Sequence, residues 1–338
     1  MTEISPEWRN VQLARLAAER AHLLFQYRNL DEATLTAVPI AADLTAKDML
    51  LHVADWDAVN SQRLSLALDG RLAEMRQIAS PEELNAHMHG RFAAISLEQA
   101  LAVCLKERAG FLALLQRAPD DLLHRRLTLP WGQRIRPRTW LRWRWQHDAA
   151  HARDLLAWRQ AQPQETMRRL GPKAMLRAQL KATRQEILSL VDVIPPTERA
   201  SRPVCGVWTM KDVIGHLTDW EMVGLSGLRQ VAAGQTPEFN PPITDFEAFN
   251  TVNAAARADQ PWAEVWAEFT AVRQELLDLF DQLPDADLTR PVPAPWGRTL
   301  STYLWVQVWM GHDHEHATDV RHALALPGWP RYLTQHQP

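Results

Sequence analysis

Cysteine is nearly absent from this chain: Cys104 and Cys205 are the only two in 338 residues. They fall at unmatched places in the repeat described below, which argues against a disulfide framework and fits a reducing compartment. No apolar run approaches the roughly 20 residues of a membrane span, and the polar start Met1-Thr2-Glu3 lacks the apolar stretch of a leader. A cytoplasmic protein with no membrane segment is the expectation. Excess charge of one sign is missing too. A net charge of -3 gives no global ground for holding nucleic acid or an anionic membrane. Strand signals are equally scarce, with little period-two alternation and no Asn-Gly turn, and this leaves an all-α fold class.

What the chain does have is a repeat. Lys47-Asp48-Met49-Leu50-Leu51-His52-Val53-Ala54-Asp55-Trp56 returns as Lys211-Asp212-Val213-Ile214-Gly215-His216-Leu217-Thr218-Asp219-Trp220. His147-Asp148-x-x-His151-Ala152-Arg153-Asp154 returns as His312-Asp313-x-x-His316-Ala317-Thr318-Asp319. The offset is 164 residues from His52 to His216 and 165 from His147 to His312. Two collinear copies are implied, at 1–160 and 173–338, joined by a proline- and glycine-bearing linker at 161–172.

Each copy reads as four helices with a long crossover between the second and third, giving two tandem four-helix bundles. The first helix starts at Ser5-Pro6 and carries Leu13, Leu16, Ala17, Leu24 and Tyr27 at helical spacing; Leu176, Leu180, Thr183, Ile187, Leu190 and Val191 match it. The second begins at a capping box, Thr45 with Asp48 or Thr209 with Asp212. The crossovers, roughly 70–95 and 233–260, keep Glu82-x-x-Asn85 and Glu247-x-x-Asn250. Third helices are expected near 97–117 and 262–282. Irregular segments with Pro130-Trp131-Gly132 and Pro295-Trp296-Gly297 precede the fourth helices.

Met49, His52, Trp56 and Val59 form one helical stripe, as do Val213, His216, Trp220 and Val223, so His52 and His216 face the core. His147 and His151, like His312 and His316, are four apart and project side by side. Each copy thus offers three imidazoles from two helices. Three protein ligands with an open position is the pattern of a catalytic zinc site, and bundle cores commonly host such sites. The competing reading is satisfied core histidines; retention of all three in both copies favours the metal. The remaining histidines, including His22, His89 and His314, have no counterparts and read as surface residues.

Arg108 and Arg273 interrupt the apolar stripe of the third helix at the same place. A buried guanidinium needs a carboxylate or an anionic ligand. Either these residues pair internally, with Asp55 and Asp219 or with Asp154 and Asp319, or they bind a substrate carboxylate near the metal. Asp154 and Asp319, three after the last histidine, are candidates for orienting an imidazole. Most of the 15 tryptophans, such as Trp56/Trp220, Trp131/Trp296 and Trp140/Trp305, read as core. Arg134, Arg136, Arg138, Arg142 and Arg144 interleave with Trp140, Trp143 and Trp145, a mixture that can hold single-stranded nucleic acid. The second copy keeps only Arg298 nearby, and the expectation is against nucleic acid.

The order of these motifs, a histidine after Lys-Asp, a tryptophan four later, then His-x-x-x-His, resembles the DinB-like superfamily over nearly the whole chain. The resemblance implies four-helix bundles and a divalent metal, zinc or nickel, on His52, His147 and His151 and on His216, His312 and His316. Characterised members include thiol-dependent isomerases and S-transferases using mycothiol or bacillithiol, and a colibactin self-resistance hydrolase. A metal-dependent transferase or hydrolase acting on a small electrophilic substrate, with a low-molecular-weight thiol as cosubstrate, is therefore implied. The alternative is a non-catalytic small-molecule-binding or stress-resistance protein with a structural or vestigial metal. Members often dimerise, so the two copies are expected to pair as a pseudo-dimer. Leu44 departs from the pattern; Trp208 in the second copy is the more typical residue.

Overall fold

The computed structural model describes residues 6–41, 43–78, 80, 82, 85–86, 89–165 and 169–325, and the fold is all-α. The first compact unit, Met1–Ala182, contains α1 (Pro6–Phe25), α2 (Glu32–Ala37), α3 (Ala46–Leu68), α4 (Leu97–Arg117), α5 (Asp120–His124) and α6 (Arg138–Gln160). Within it α3 packs along α4, and α1 along α6. The apolar stripes explain the pairing: Leu16, Ala17 and Leu24 of α1 and Leu101, Cys104, Phe111 and Leu115 of α4 are all buried. The third-helix bounds are those the spacing predicts.

The second unit, Thr183–Pro338, contains α8 (Met210–Ala232), α9 (Phe246–Arg257), α10 (Trp262–Gln282), α11 (Asp285–Thr289) and α12 (Thr302–Leu324), with the end of α7 (Lys173–Val193). Here α8 packs along α10 and also against α12 and α9. Ile187, Leu190 and Val191 of α7 are buried as their spacing requires. The division between the units falls inside α7, beyond the 161–172 segment. Its first turns belong with the preceding residues, because Met175, Ala178 and Ala182 are buried in one cluster with Leu23 and Leu24.

Capping fixes where the histidine-bearing helices start. The amide of Asp48 donates to Thr45 Oγ1 at 3.2 Å while the Thr45 amide donates to the Asp48 carboxylate, and Thr209 with Asp212 does the same. Each cap is worth about 1 kcal/mol. Ser5, the expected cap of α1, lies outside the described residues.

Among the described residues four short hairpins accompany the helices: β1 (Pro39–Ala41) with β2 (Leu44–Thr45), β3 (Leu127–Thr128) with β4 (Arg134–Ile135), β5 (Pro203–Cys205) with β6 (Trp208–Thr209), and β7 (Pro291–Pro293) with β8 (Thr299–Ser301). Strands of two or three residues are too short to show alternation. The Pro-Trp-Gly segments are the turns of the second and fourth hairpins. Gly132 and Gly297 sit there at φ 85° and 79°, a left-handed backbone that favours glycine.

Candidate metal centre

α3 and α6 bring His52, His147 and His151 together in the first unit. His52 Nε2 lies 2.9 Å from His147 Nε2, which lies 3.2 Å from His151 Nε2. α8 and α12 repeat the arrangement in the second unit, with His216 Nε2 2.8 Å from His312 Nε2 and His316 Nε2 3.1 Å from it. In both trios the same ring nitrogen of every histidine points to a common centre. Tetrahedral coordination at bond lengths of about 2.0–2.1 Å would hold such nitrogens about 3.3 Å apart. Opening each trio by a few tenths of an ångström therefore admits a divalent ion, and the donor set fits one.

Burial sets the charge state. Burial first, then the neighbouring His151, His89 and Arg144, pushes His52 down to about 3. His216 is pushed down to about 3 by burial and His316. His147 and His312 are likewise driven well below the ordinary imidazole value, again chiefly by burial. His52, His147, His216 and His312 are thus neutral ligands at neutral pH. A folded-state pKa below the unfolded 6.5 means the unfolded chain binds more protons between the two values. The stability contribution is therefore full above pH about 6.5 and is lost as pH falls toward 3. Metal-stripped protein should melt at progressively lower temperature from pH 6.5 to 4.5, and less steeply as the His52→Gln/His216→Gln variant. Parallel slopes in differential scanning calorimetry would contradict this.

Around the trios, Asp154 and Asp319 stand where an orienting carboxylate would, 3.4 Å from His151 Nδ1 and 3.5 Å from His316 Nδ1. The crossover asparagines also acquire a role: Asn85 Oδ1 accepts from Trp56 Nε1 at 3.0 Å, and Asn250 Oδ1 from Trp220 Nε1 at 2.9 Å. Glu82 and Glu247 are exposed. Trp208 packs against His216 at 4.8 Å between ring centroids, a contact Leu44 does not reproduce. Cys205 adds a second possible ligand group with His316 and Asp319. Burial and the Asp319 carboxylate push its thiol up to about 11, which keeps it protonated and a poor competitor with the imidazoles.

Several expectations are corrected. His89 is not a surface residue: its Nε2 lies 3.3 Å from His52 Nδ1, on the side away from the trio's centre. His22 is buried, and His314 Nδ1 lies 3.5 Å from Glu186. His87 and His336 lie outside the described residues. Arg108 and Arg273 are buried, as expected, but neither pairs with Asp55, Asp219, Asp154 or Asp319. Arg108 donates to Asp57 at 2.9 and 3.1 Å and to Asp148 at 2.7 Å, while Arg20 bridges the same two carboxylates at 2.9 and 3.0 Å. In the second unit Arg273 and Arg184 share Glu221 and Asp313. Two arginines and two carboxylates pair in each set, which is the internal pairing of Arg108 and Arg273 with other partners than those expected. Asp55 and Asp219 instead bind Arg91 and Arg257.

The arginine- and tryptophan-rich stretch lines a cleft of about 780 Å³ in the first unit, walled by Arg134, Arg136, Arg138, Arg142, Trp143 and Trp145 together with Arg15 and Trp8. Arg144 is not among its lining residues. It is buried, at 3% exposure.

An all-α unit with a histidine trio on two helices defines a helical protein whose trio could hold a metal ion. The family model of the DinB superfamily matches residues 179–320, a stretch that holds His216, His312 and His316. Comparison with curated proteins and with solved structures returned no match. Among the described residues, no helix is long and apolar enough to cross a membrane.

Proposed function

We propose that the chain is a divalent-metal-dependent enzyme assembled from two tandem copies of one DinB-superfamily four-helix bundle, its zinc or nickel held by the two histidine trios. The observation that carries this reading is the recurrence, in both units, of three converging Nε2 atoms on equivalent helices. The reaction class is S-transfer or hydrolysis on a small electrophile. A divalent ion with an open position supplies Lewis acidity and lowers the pKa of a thiol or water. The chain's own part is to keep His52, His147, His216 and His312 neutral, to orient His151 and His316 through Asp154 and Asp319, and to wall the site with Trp56 and Trp220. Cys104 is buried beside Arg20, and Cys205 is held as a thiol, so neither serves as nucleophile. A low-molecular-weight thiol is the cosubstrate this leaves.

One observation favours a non-catalytic, structural role for the second site. The cavity between His216, Asp219, Phe249, Asn250 and Arg257 is only about 10 Å³, room for about one water. The test is turnover of an electrophile panel by metal-loaded protein with glutathione, mycothiol or bacillithiol, followed by mass spectrometry. Product formation that disappears in His52→Ala is the expected result. Bound metal with no product under any thiol would instead favour the binding-protein reading.

A further inference from the structure

Arg144 has no place in either the metal trio or the balanced charge set of the first unit. It sits on α6, three residues before His147 and seven before His151, so it shares their helix face. Its side chain is 3% exposed, and its Nε and Nη1 find no hydrogen-bond partner among the described residues. Asp57 and Asp148 act favourably on its charge but are already hydrogen-bonded by Arg20 and Arg108, which oppose it, and the Trp56 ring lies 5.5 Å away. Trp56 in turn lies 6.3 Å from His147. The charge of Arg144 reaches all three histidines, since it contributes to the lowered values of His52, His147 and His151.

The second unit is an internal control. Its set of Arg184, Arg273, Glu221 and Asp313 closes without a fifth charge. At the register of Arg144 it has Trp309, whose buried indole occupies the space a Cβ on Gly224 would need. The first unit has Asn60 at the register of Gly224, also buried, with its Oδ1 unpaired. An apolar plug in one copy is therefore a polar, cationic pair in the other. The quartet's carboxylates are already shared by two arginines, so Arg144 is a third cation over two anions, and buried N–H groups of a guanidinium left without acceptors are costly unless an anion meets them.

Resting on the metal-centre reading above, we propose that the first unit binds a carboxylate-bearing small molecule, with Arg144 receiving the carboxylate beside the His52–His147–His151 trio, and that the second unit does not. The guanidinium fork suits a planar carboxylate through two parallel hydrogen bonds. Asn60 offers a further polar contact. Trp56, between Arg144 and His147, places an aromatic face where the ligand's apolar body would lie.

The test is calorimetric titration of the zinc-loaded full chain with benzoate, and with benzamide as the uncharged control, while metal content is measured on each sample. Benzoate is expected to bind at one site per chain and more tightly than benzamide. Arg144→Met should weaken it tenfold or more, the loss typical of a charged hydrogen-bond pair, with zinc content unchanged. If Arg144→Met does not fold, Arg144→Lys carries the test, because it keeps the charge but lacks the fork and should show a smaller loss. Undiminished benzoate affinity in a folded Arg144 variant, two equal sites per chain, or no benzoate binding by the parent overturns the proposal. Benzoate binding by parent protein that holds no zinc would support the Arg144 site while removing the metal-centre reading, so the two fail separately.

Discussion

Asp57→Ala is expected to destabilise the chain by about 3–5 kcal/mol, the usual cost of removing one partner from a buried ion pair. Asp57 is fully buried and meets Arg20 at 2.9 Å and Arg108 at 2.9 and 3.1 Å. Its loss leaves two guanidinium groups sharing Asp148 alone, in surroundings that water cannot enter to compensate. The equivalent change in the second unit, Glu221→Ala, should act the same way on Arg184 and Arg273. Urea denaturation followed by circular dichroism measures both. A cost below about 1 kcal/mol, the range of an exposed pair, would mean that water reaches these charges. Replacing Asp57 and Arg108 together by leucine and methionine should recover much of the loss, because an apolar replacement leaves fewer unpaired charges.

The second large effect concerns metal content. Protein purified without chelator should carry one divalent ion for each trio by elemental analysis. His147→Ala should remove the first-unit ion and leave the other, and His147→Ala/His312→Ala should carry none. His147 and His312 are the right choice because each lies between the other two ligands of its trio, at 2.9 and 3.2 Å and at 2.8 and 3.1 Å. Binding to the native state alone also raises stability by mass action, so the double variant should melt below the metal-loaded parent. Parent protein without stoichiometric metal, or a double variant that retains it, would leave six core histidines with no common task.

Much of the fold was legible because helical periodicity is clear in both units. α4 and α10 have the bounds their apolar stripes require, and the Thr45 and Thr209 caps mark the starts of α3 and α8. The trios were legible for a related reason: a histidine repeated at one offset on an inward stripe has few structural explanations. The partners of Arg108 and Arg273 were not, since Asp57 and Asp148 look like ordinary solvent-facing carboxylates on polar positions. Their signal lay in the same repeat. Arg20 and Arg184, Asp57 and Glu221, and Asp148 and Asp313 keep charge sign across the copies. His89 carried no such mark, having no counterpart, and only the path of the crossover sets it against His52. The hairpins escaped because a two-residue strand has no period to read.

The two buried quartets are not interchangeable. The first is built with Asp57 and the second with Glu221, so the reach from the α3 backbone to its guanidinium pair is one methylene shorter than from α8. A helix transplanted from one half into the other would bring its carboxylate too far or not far enough, and would strand charge in a dry interior. The difference at this single position thus disfavours exchange of the carboxylate-bearing helix between the two units.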